Sequence, residues 1–171
     1  MLNKASFNSS IGKLYYIWLS ELKVPEVVFL SNIVKSFENY LEELRIKYTD
    51  LSFRDKKSDE IENSIIGYLN GNLKGLDLKP HFLTGTVFEK KIWLATLEIP
   101  FGNVLSYKEI AEKAGHPGAW RAAGTALNHN PVLMVVPCHR VIKSSGAIGF
   151  FGAGEGIKAL LLELEHRLIS V

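Results

Sequence analysis

Apolar and polar positions follow different rhythms in the two halves of this 171-residue chain. Near the start, Lys13-Leu14-Tyr15-Tyr16-Ile17-Trp18-Leu19 is an apolar, aromatic run of strand-like composition. From Val27 to Arg45 the apolar positions Phe29, Ile33, Phe37, Tyr40, Leu41 and Leu44 recur at helical spacing and predict a helix. A second helix is expected from Asp59 to Leu69, through Ile61, Ile65, Ile66 and Leu69, with Asn70-Gly71-Asn72 as its cap and turn. Gly75, Pro80 and Gly85 make Lys74 to Gly85 read as a linker, which divides the chain into domains 1–83 and 84–171.

The second half is more regular. Thr86 to Glu98 is expected to be an amphipathic helix, stopped by Pro100 and Gly102. Ser106 caps a short helix from Tyr107 to Ala114, and Glu109, three residues on, completes a capping box. Gly115-His116-Pro117-Gly118 then turns the chain into a third helix, Ala119 to about Asn128. Two short helices joined by a glycine-containing turn have the form of a helix-turn-helix, a geometry shared by DNA-binding domains and by ordinary helical hairpins. In the third helix Ala119, Ala122, Ala123, Gly124 and Ala126 surround Arg121, a small-residue surface that suits close approach to another helix or to a DNA groove. Trp120, Ala123 and Leu127 share one face and are expected in the core.

Asn130-Pro131 ends that helix, and Val132-Leu133-Met134-Val135-Val136 carries the chain through the interior. Lys143 to Gly154 is glycine-rich without the lysine and spacing of a phosphate loop, and reads as a flexible pocket wall. The last helix, Glu155 to Leu168, offers Leu160, Leu161, Leu164 and Leu168 to the core.

With 47% apolar and 22% charged residues the composition is that of a globular protein. No apolar run approaches the roughly 20 residues of a membrane span, and Met1-Leu2-Asn3-Lys4 lacks a signal-peptide core. One cysteine and no export signal lead us to expect a reducing compartment: the cytoplasm, or the nucleus in a eukaryote. Residues 1–83 carry 11 basic and 11 acidic side chains, residues 84–171 carry 9 and 7, so the net charge of +2 lies in the second half. That excess permits nucleic-acid binding without requiring it.

The only cysteine lies in Pro137-Cys138-His139-Arg140-Val141. A lone thiol forms no internal disulfide and no multi-cysteine zinc site, so it is either an inert buried side chain or a reactive nucleophile. His139 and Arg140 beside it can lower a thiol pKa, and Pro137 fixes how the sulfur is presented.

Phe88 to Trp93, Ile99-Pro100-Phe101-Gly102, Ser106-Tyr107, Arg121-Ala122, Asn130-Pro131 and Pro137-Cys138-His139-Arg140-Val141 stand in an order and spacing that resembles the O6-alkylguanine-DNA alkyltransferases, from Phe88 to Glu165. The resemblance implies a small α/β N-terminal domain and a mostly α, winged-helix-like C-terminal domain with a helix-turn-helix. It also implies transfer of an alkyl group from guanine O6 in double-stranded DNA to the protein's own cysteine, once per molecule. Cys138 then corresponds to the acceptor, His139 to the base that takes the thiol proton through a water, and Glu165 to the acid that orients His139. Tyr107 corresponds to the residue that protonates guanine N3 and helps rotate the phosphate. Arg121 corresponds to the finger that fills the space of the flipped base, and Asn130 to the residue holding the turn before the site. Ala122 and Gly124 fall on the helix entering the minor groove, while Lys108 and Ser144 stand where the family contacts the DNA backbone. No cofactor, no metal and no obligate protein partner are implied, and the protein is expected to act as a monomer. Phe151, Gly152 and Leu133 replace a tyrosine, a serine and a proline of other members, which bears on adduct size.

The residue types fit that chemistry on their own terms. Attack on an alkyl carbon needs a soft nucleophile, which a thiolate supplies. A neutral leaving base needs a proton donor, which a tyrosine hydroxyl can be. Three other readings compete. A recognition-only relative of these proteins lacks the acceptor cysteine. A cysteine hydrolase needs an oxyanion hole for which no motif is present. A plain helix-turn-helix regulator leaves Glu165 and the glycine-rich loop without a task. Glu165 is otherwise a solvated helix carboxylate, Tyr107 an ordinary first-turn aromatic, and Arg140 the partner of a nearby carboxylate or helix end.

Overall fold

The computed structural model describes residues 1–19 and 24–169. The chain divides into two compact units, Met1–Thr84 with Pro131–Val135, and Gly85–Asn130 with Val136–Val171.

The first unit is built on one sheet of β1 (Leu2–Ser9), β2 (Gly12–Leu19), β3 (Glu26–Ser31), β4 (Phe53–Asp55) and β5 (Lys79–Pro80), in the order β4-β1-β2-β3-β5. β1, β2 and β3 pair antiparallel, whereas β4 and β5 join the two edges in parallel. Helix α1 (Val34–Lys47) buries Tyr40, Leu41 and Leu44 in a cluster with Leu2, Ile17 and Phe29. Helix α2 (Asp59–Leu69) reaches the neighbouring residue Tyr16, whose hydroxyl donates to Glu62 at 2.8 Å and accepts from the Ser58 amide at 2.8 Å. Adjacent strand residues point to opposite faces, so the two helices cover the sheet from both sides.

The helix expected from Val27 begins only at Val34, because Glu26–Ser31 is a strand. Val27, Val28, Phe29 and Leu30 are all buried, as in a central strand covered on both faces. A run that short has no periodicity to distinguish it from helix, and Phe29 matched the helical spacing by coincidence. Lys74 to Gly85 is not a loose linker: β5 pairs with β3, and the Leu83 carbonyl accepts from Lys47 at 2.8 Å and Tyr48 at 3.0 Å. The segment 131–135 belongs to this unit, where the Leu30 amide donates to Pro131 at 2.9 Å and the Leu133 amide to Leu30 at 2.9 Å.

The second unit contains α3 (Val87–Leu97), α4 (Tyr107–Lys113), α5 (Trp120–Asn128) and α6 (Glu155–Ile169), with a short parallel ladder of β6 (Leu105–Ser106) and β7 (Val141–Ile142). Capping boxes start two of the helices: Thr86 with Glu89 opens α3, and Ser106 with Glu109 opens α4. α4 ends in a Schellman turn, in which the Gly115 amide donates to Glu112 at 2.9 Å and the His116 amide to Ala111 at 2.8 Å. Gly115 and Gly118 both take positive φ, so the short turn between α4 and α5 needs two residues without a Cβ. Trp93 anchors α3 against α5 by donating its indole N–H to the Ala126 carbonyl at 2.7 Å. Leu161 and Leu164 of α6 are buried as expected, but Leu160 is exposed. Lys158 and Glu165 occupy buried positions on α6 instead.

Candidate active site

Pro137 leads into a single 3-10 turn, Cys138–Arg140, that buries three consecutive side chains. Such a turn fans successive side chains about 120° apart, which sends the thiol and the imidazole to different neighbours. Cys138 Sγ accepts from Asn130 Nδ2 at 3.1 Å, and the same amide reaches the Val136 carbonyl at 3.3 Å. His139 Nε2 lies 2.9 Å from Glu165 Oε1. Arg140 grips the same carboxylate, with Nη2 2.8 Å from Oε1 and Nε 3.0 Å from Oε2, and places Nη1 2.8 Å from the Ile99 carbonyl. The Gly102 amide adds a further donor to Glu165 Oε2 at 2.9 Å. One buried carboxylate therefore takes bonds from an imidazole, a guanidinium and a backbone amide, the condition under which a charge is tolerated in a protein interior.

The electrostatics are those of a resting site. Burial pushes the Cys138 thiol up, and the Asn130 hydrogen bond and the Lys158 charge only partly offset it. Burial outweighs the lowering expected from the neighbours: His139 contributes only through its backbone hydrogen bond, and no lowering comes from Arg140. His139 is itself held below its ordinary range by burial, against the pull of Glu165, and Arg140 is spent on Glu165. Both shifts favour the uncharged forms of thiol and imidazole.

Tyr107, the first residue of α4, is half-buried, and its hydroxyl donates to the Phe150 carbonyl at 3.3 Å. Burial raises its phenol, and a Cys138 thiolate would raise it further. Gly124 of α5 faces that ring, where a Cβ would make an ordinary contact at 3.6 Å. Phe151 presents an edge to the His139 ring with the centroids 6.4 Å apart. The structure thus brings Cys138, His139, Glu165, Asn130 and Tyr107 into one region of the second unit. Arg121 and Ala122 are exposed on α5. Lys108 and Ser144 line a cavity of about 310 Å³ with Tyr107, Trp120 and Lys143.

One residue of the site escaped the sequence, and the partner of another was left open between a carboxylate and a helix end. Arg140 was expected to pair with some carboxylate, and that carboxylate is Glu165 itself. Lys158 was not singled out at all. It is fully buried on α6, with Nζ 2.5 Å from the Val141 carbonyl and 5.7 Å from the centre of the Tyr107 ring, and burial lowers its pKa to about 8. The available signal was its place on the apolar stripe, three residues before Leu161 and seven before Glu165. Among the described residues no group of His, Cys, Asp or Glu side chains could hold a metal ion.

Residues 87–167 match the family model of the 6-O-methylguanine DNA methyltransferase DNA-binding domain. A methylated-DNA–protein-cysteine methyltransferase of Methanosarcina barkeri is 44% identical over 110 residues, covering 63% of this chain and 68% of that protein. A protein of the same name from Mycobacterium bovis is 48% identical over 98 residues, covering 57% and 59%. The crystal structure of the O6-methylguanine methyltransferase of Mycobacterium tuberculosis superposes with a TM-score of 0.79 at 33% identity, covering 98% of this chain and 94% of that one. A structure of Mycobacterium tuberculosis OGT in complex with DNA superposes equally well, with a TM-score of 0.79 at 33% identity over 97% and 94%. On sequence and fold together, this chain belongs to the methylated-DNA–protein-cysteine methyltransferase family.

Proposed function

We propose that the protein repairs O6-alkylguanine in double-stranded DNA by moving the alkyl group irreversibly to Cys138. The observation that carries this reading is the buried Cys138 thiol, held by Asn130 at 3.1 Å in the turn whose next residue, His139, is hydrogen-bonded to Glu165. In the reaction Sγ bonds to the alkyl carbon while the bond from that carbon to O6 breaks. The thiol proton passes through a bridging water to His139 Nδ1, because Nε2 is engaged by Glu165. Tyr107 gives its phenolic proton to guanine N3, so the base departs neutral. The imidazolium then returns its proton to solvent and the phenolate is reprotonated. The thioether on Cys138 is stable, and each molecule reacts once.

Arg140 has a defined part in this scheme. By neutralising Glu165 it keeps the carboxylate from drawing a permanent proton onto His139, which stays a free base until the thiol proton arrives. Lys158 supplies a nearby positive charge as the thiolate develops.

O6 of a stacked guanine lies out of reach of Sγ, so the nucleotide must rotate out of the duplex at a cost of a few kcal/mol. α5 enters the minor groove with Ala122 and Gly124 at the close approach, Arg121 fills the vacated space, and Lys108 and Ser144 meet the backbone. That a solved relative is in complex with DNA supports the DNA-binding part of this reading. Affinity should be largely independent of sequence and fall with salt.

The test is intact-protein mass spectrometry after mixing with a duplex carrying one O6-methylguanine. A gain of one methyl per molecule, mapping to Cys138, is expected. Tight lesion binding with no gain would make this a recognition protein and Cys138 a structural thiol.

A further inference from the structure

We infer that Trp120 is a DNA-contacting residue that forms the apolar floor of a nucleotide cleft and steadies Arg121, an inference that rests on reading α5 as the DNA-binding helix. The spacing of Trp120, Ala123 and Leu127 places all three in the core, and Ala123 and Leu127 are buried there. Trp120 is not. It is 47% exposed, whereas Trp18 is 7% and Trp93 1% exposed, so it is the one exposed tryptophan of the chain's three. About half of this large aromatic ring meets solvent at the start of α5.

Two contacts point to nucleic acid. The Arg121 guanidinium stacks on the Trp120 ring, 4.5 Å from its centre. That stacking limits the rotamers of the arginine before it meets DNA, and a side chain ordered in advance costs less to insert. The ring also lines the cavity of about 310 Å³ shared with Tyr107, Lys108, Lys143 and Ser144. Its lining is mainly apolar surface, with Lys108, Lys143 and Ser144 among its residues. This is the complement of a nucleotide in the DNA strand, whose deoxyribose packs on the indole while its phosphate meets the lysines and Ser144. Glu112 leaves that charge available, since its carboxylate is 3.9 Å from Lys108 on an exposed surface.

The experiment is titration of the full-length protein with an unmodified duplex, following tryptophan emission and affinity. Quenching of the emission at saturation is expected, and Trp120→Phe should abolish the change, because the two remaining indoles are buried. Trp120→Ala should weaken duplex binding about tenfold, with Trp120→Phe recovering most of the loss. The slope of affinity against salt should stay as in the wild type for Trp120→Ala and fall by about 1 for Lys108→Ala. Reaction of Cys138 with free O6-alkylguanine base should be unchanged in Trp120→Ala. Emission unaltered at saturation, or Trp120→Ala binding as tightly as wild type, would overturn the role of Trp120 while leaving α5 as the DNA helix. A wild-type protein that binds no duplex would overturn both.

Discussion

Arg140 contacts both carboxylate oxygens of Glu165, through Nη2 to Oε1 at 2.8 Å and Nε to Oε2 at 3.0 Å. Its sequence neighbour His139 shares Oε1 at 2.9 Å. Neighbouring residues usually diverge; here the longer arginine side chain lets both reach one acid. The pair fixes the carboxylate, and the carboxylate in turn fixes the imidazole. Arg140→Met leaves Glu165 buried without its counter-charge and should destabilise the protein by about 3–5 kcal/mol in chemical denaturation. It also removes a charge that holds the His139 pKa down. The acid limb of the transfer rate should therefore move to higher pH, which a purely structural arginine would not produce.

The depressed His139 pKa has a stability signature of its own. Between its folded value and about 6.5 the unfolded chain binds the proton that the folded protein refuses, so stability rises with pH in that window. Above the window it makes no contribution; as pH falls through it, stability is lost. Thermal melts from neutral pH downward should show this decline, and His139→Gln should lose that component of the slope. A slope retained by the variant would assign it to other groups.

Burial of Cys138 predicts a slow thiol in the absence of substrate. Its rate with iodoacetamide should be low at neutral pH and climb into the alkaline range. Lys158 opposes that burial while charged, and it loses its proton near pH 8. Lys158→Met should make Cys138 less reactive at neutral pH, as should Asn130→Ala, which deletes the hydrogen bond to sulfur. Faster alkylation in either variant would contradict the assigned electrostatics.

Cys138→Ser should abolish methyl transfer and leave duplex affinity within about twofold of wild type, since the change removes the nucleophile and little volume. Loss of binding as well, with a collapsed melting transition, would mean that the thiol supports the fold.

Arg121→Ala should slow repair of a duplex far more than reaction with free O6-alkylguanine base, which needs no flipping. Comparing the two rates in the same variant separates a role in base rotation from one in chemistry. Equal losses would refute the former.

Gly85 sits at φ +87°, where a Cβ would come within 2.4 Å of the Trp93 ring. Gly85→Ala combines a disfavoured backbone with a clash against a ring held by its bond to Ala126. The expected loss is about 3 kcal/mol, read as a lower urea midpoint at unchanged slope. An unchanged midpoint would show that the ring moves freely aside.

The helices of the second unit were legible wherever local signals determine structure. The Ser106 and Glu109 capping box and the Gly115–Gly118 turn act over a few residues, and α4 and α5 lie where they direct. β3 was not legible, because a short apolar run becomes strand or helix according to its neighbours, and the pairing with β2 decided it. Position 120 failed for the same reason. Periodicity reports which face a residue shares but not how far another element covers it, and Trp120 stays 47% exposed.

The sequence by itself determined the chemistry on offer: a single thiol, the imidazole beside it, a tyrosine opening α4, and a family resemblance from which Cys138 is proposed as the acceptor. Only the tertiary structure decided how those groups are tuned. Burial raised the thiol that its neighbours were expected to activate, and α6 brought Glu165 to His139 and Arg140, which precede it by 26 and 25 residues. Desolvation and partner distance set a group's proton affinity. Both are properties of the packed interior, which no short stretch of sequence contains.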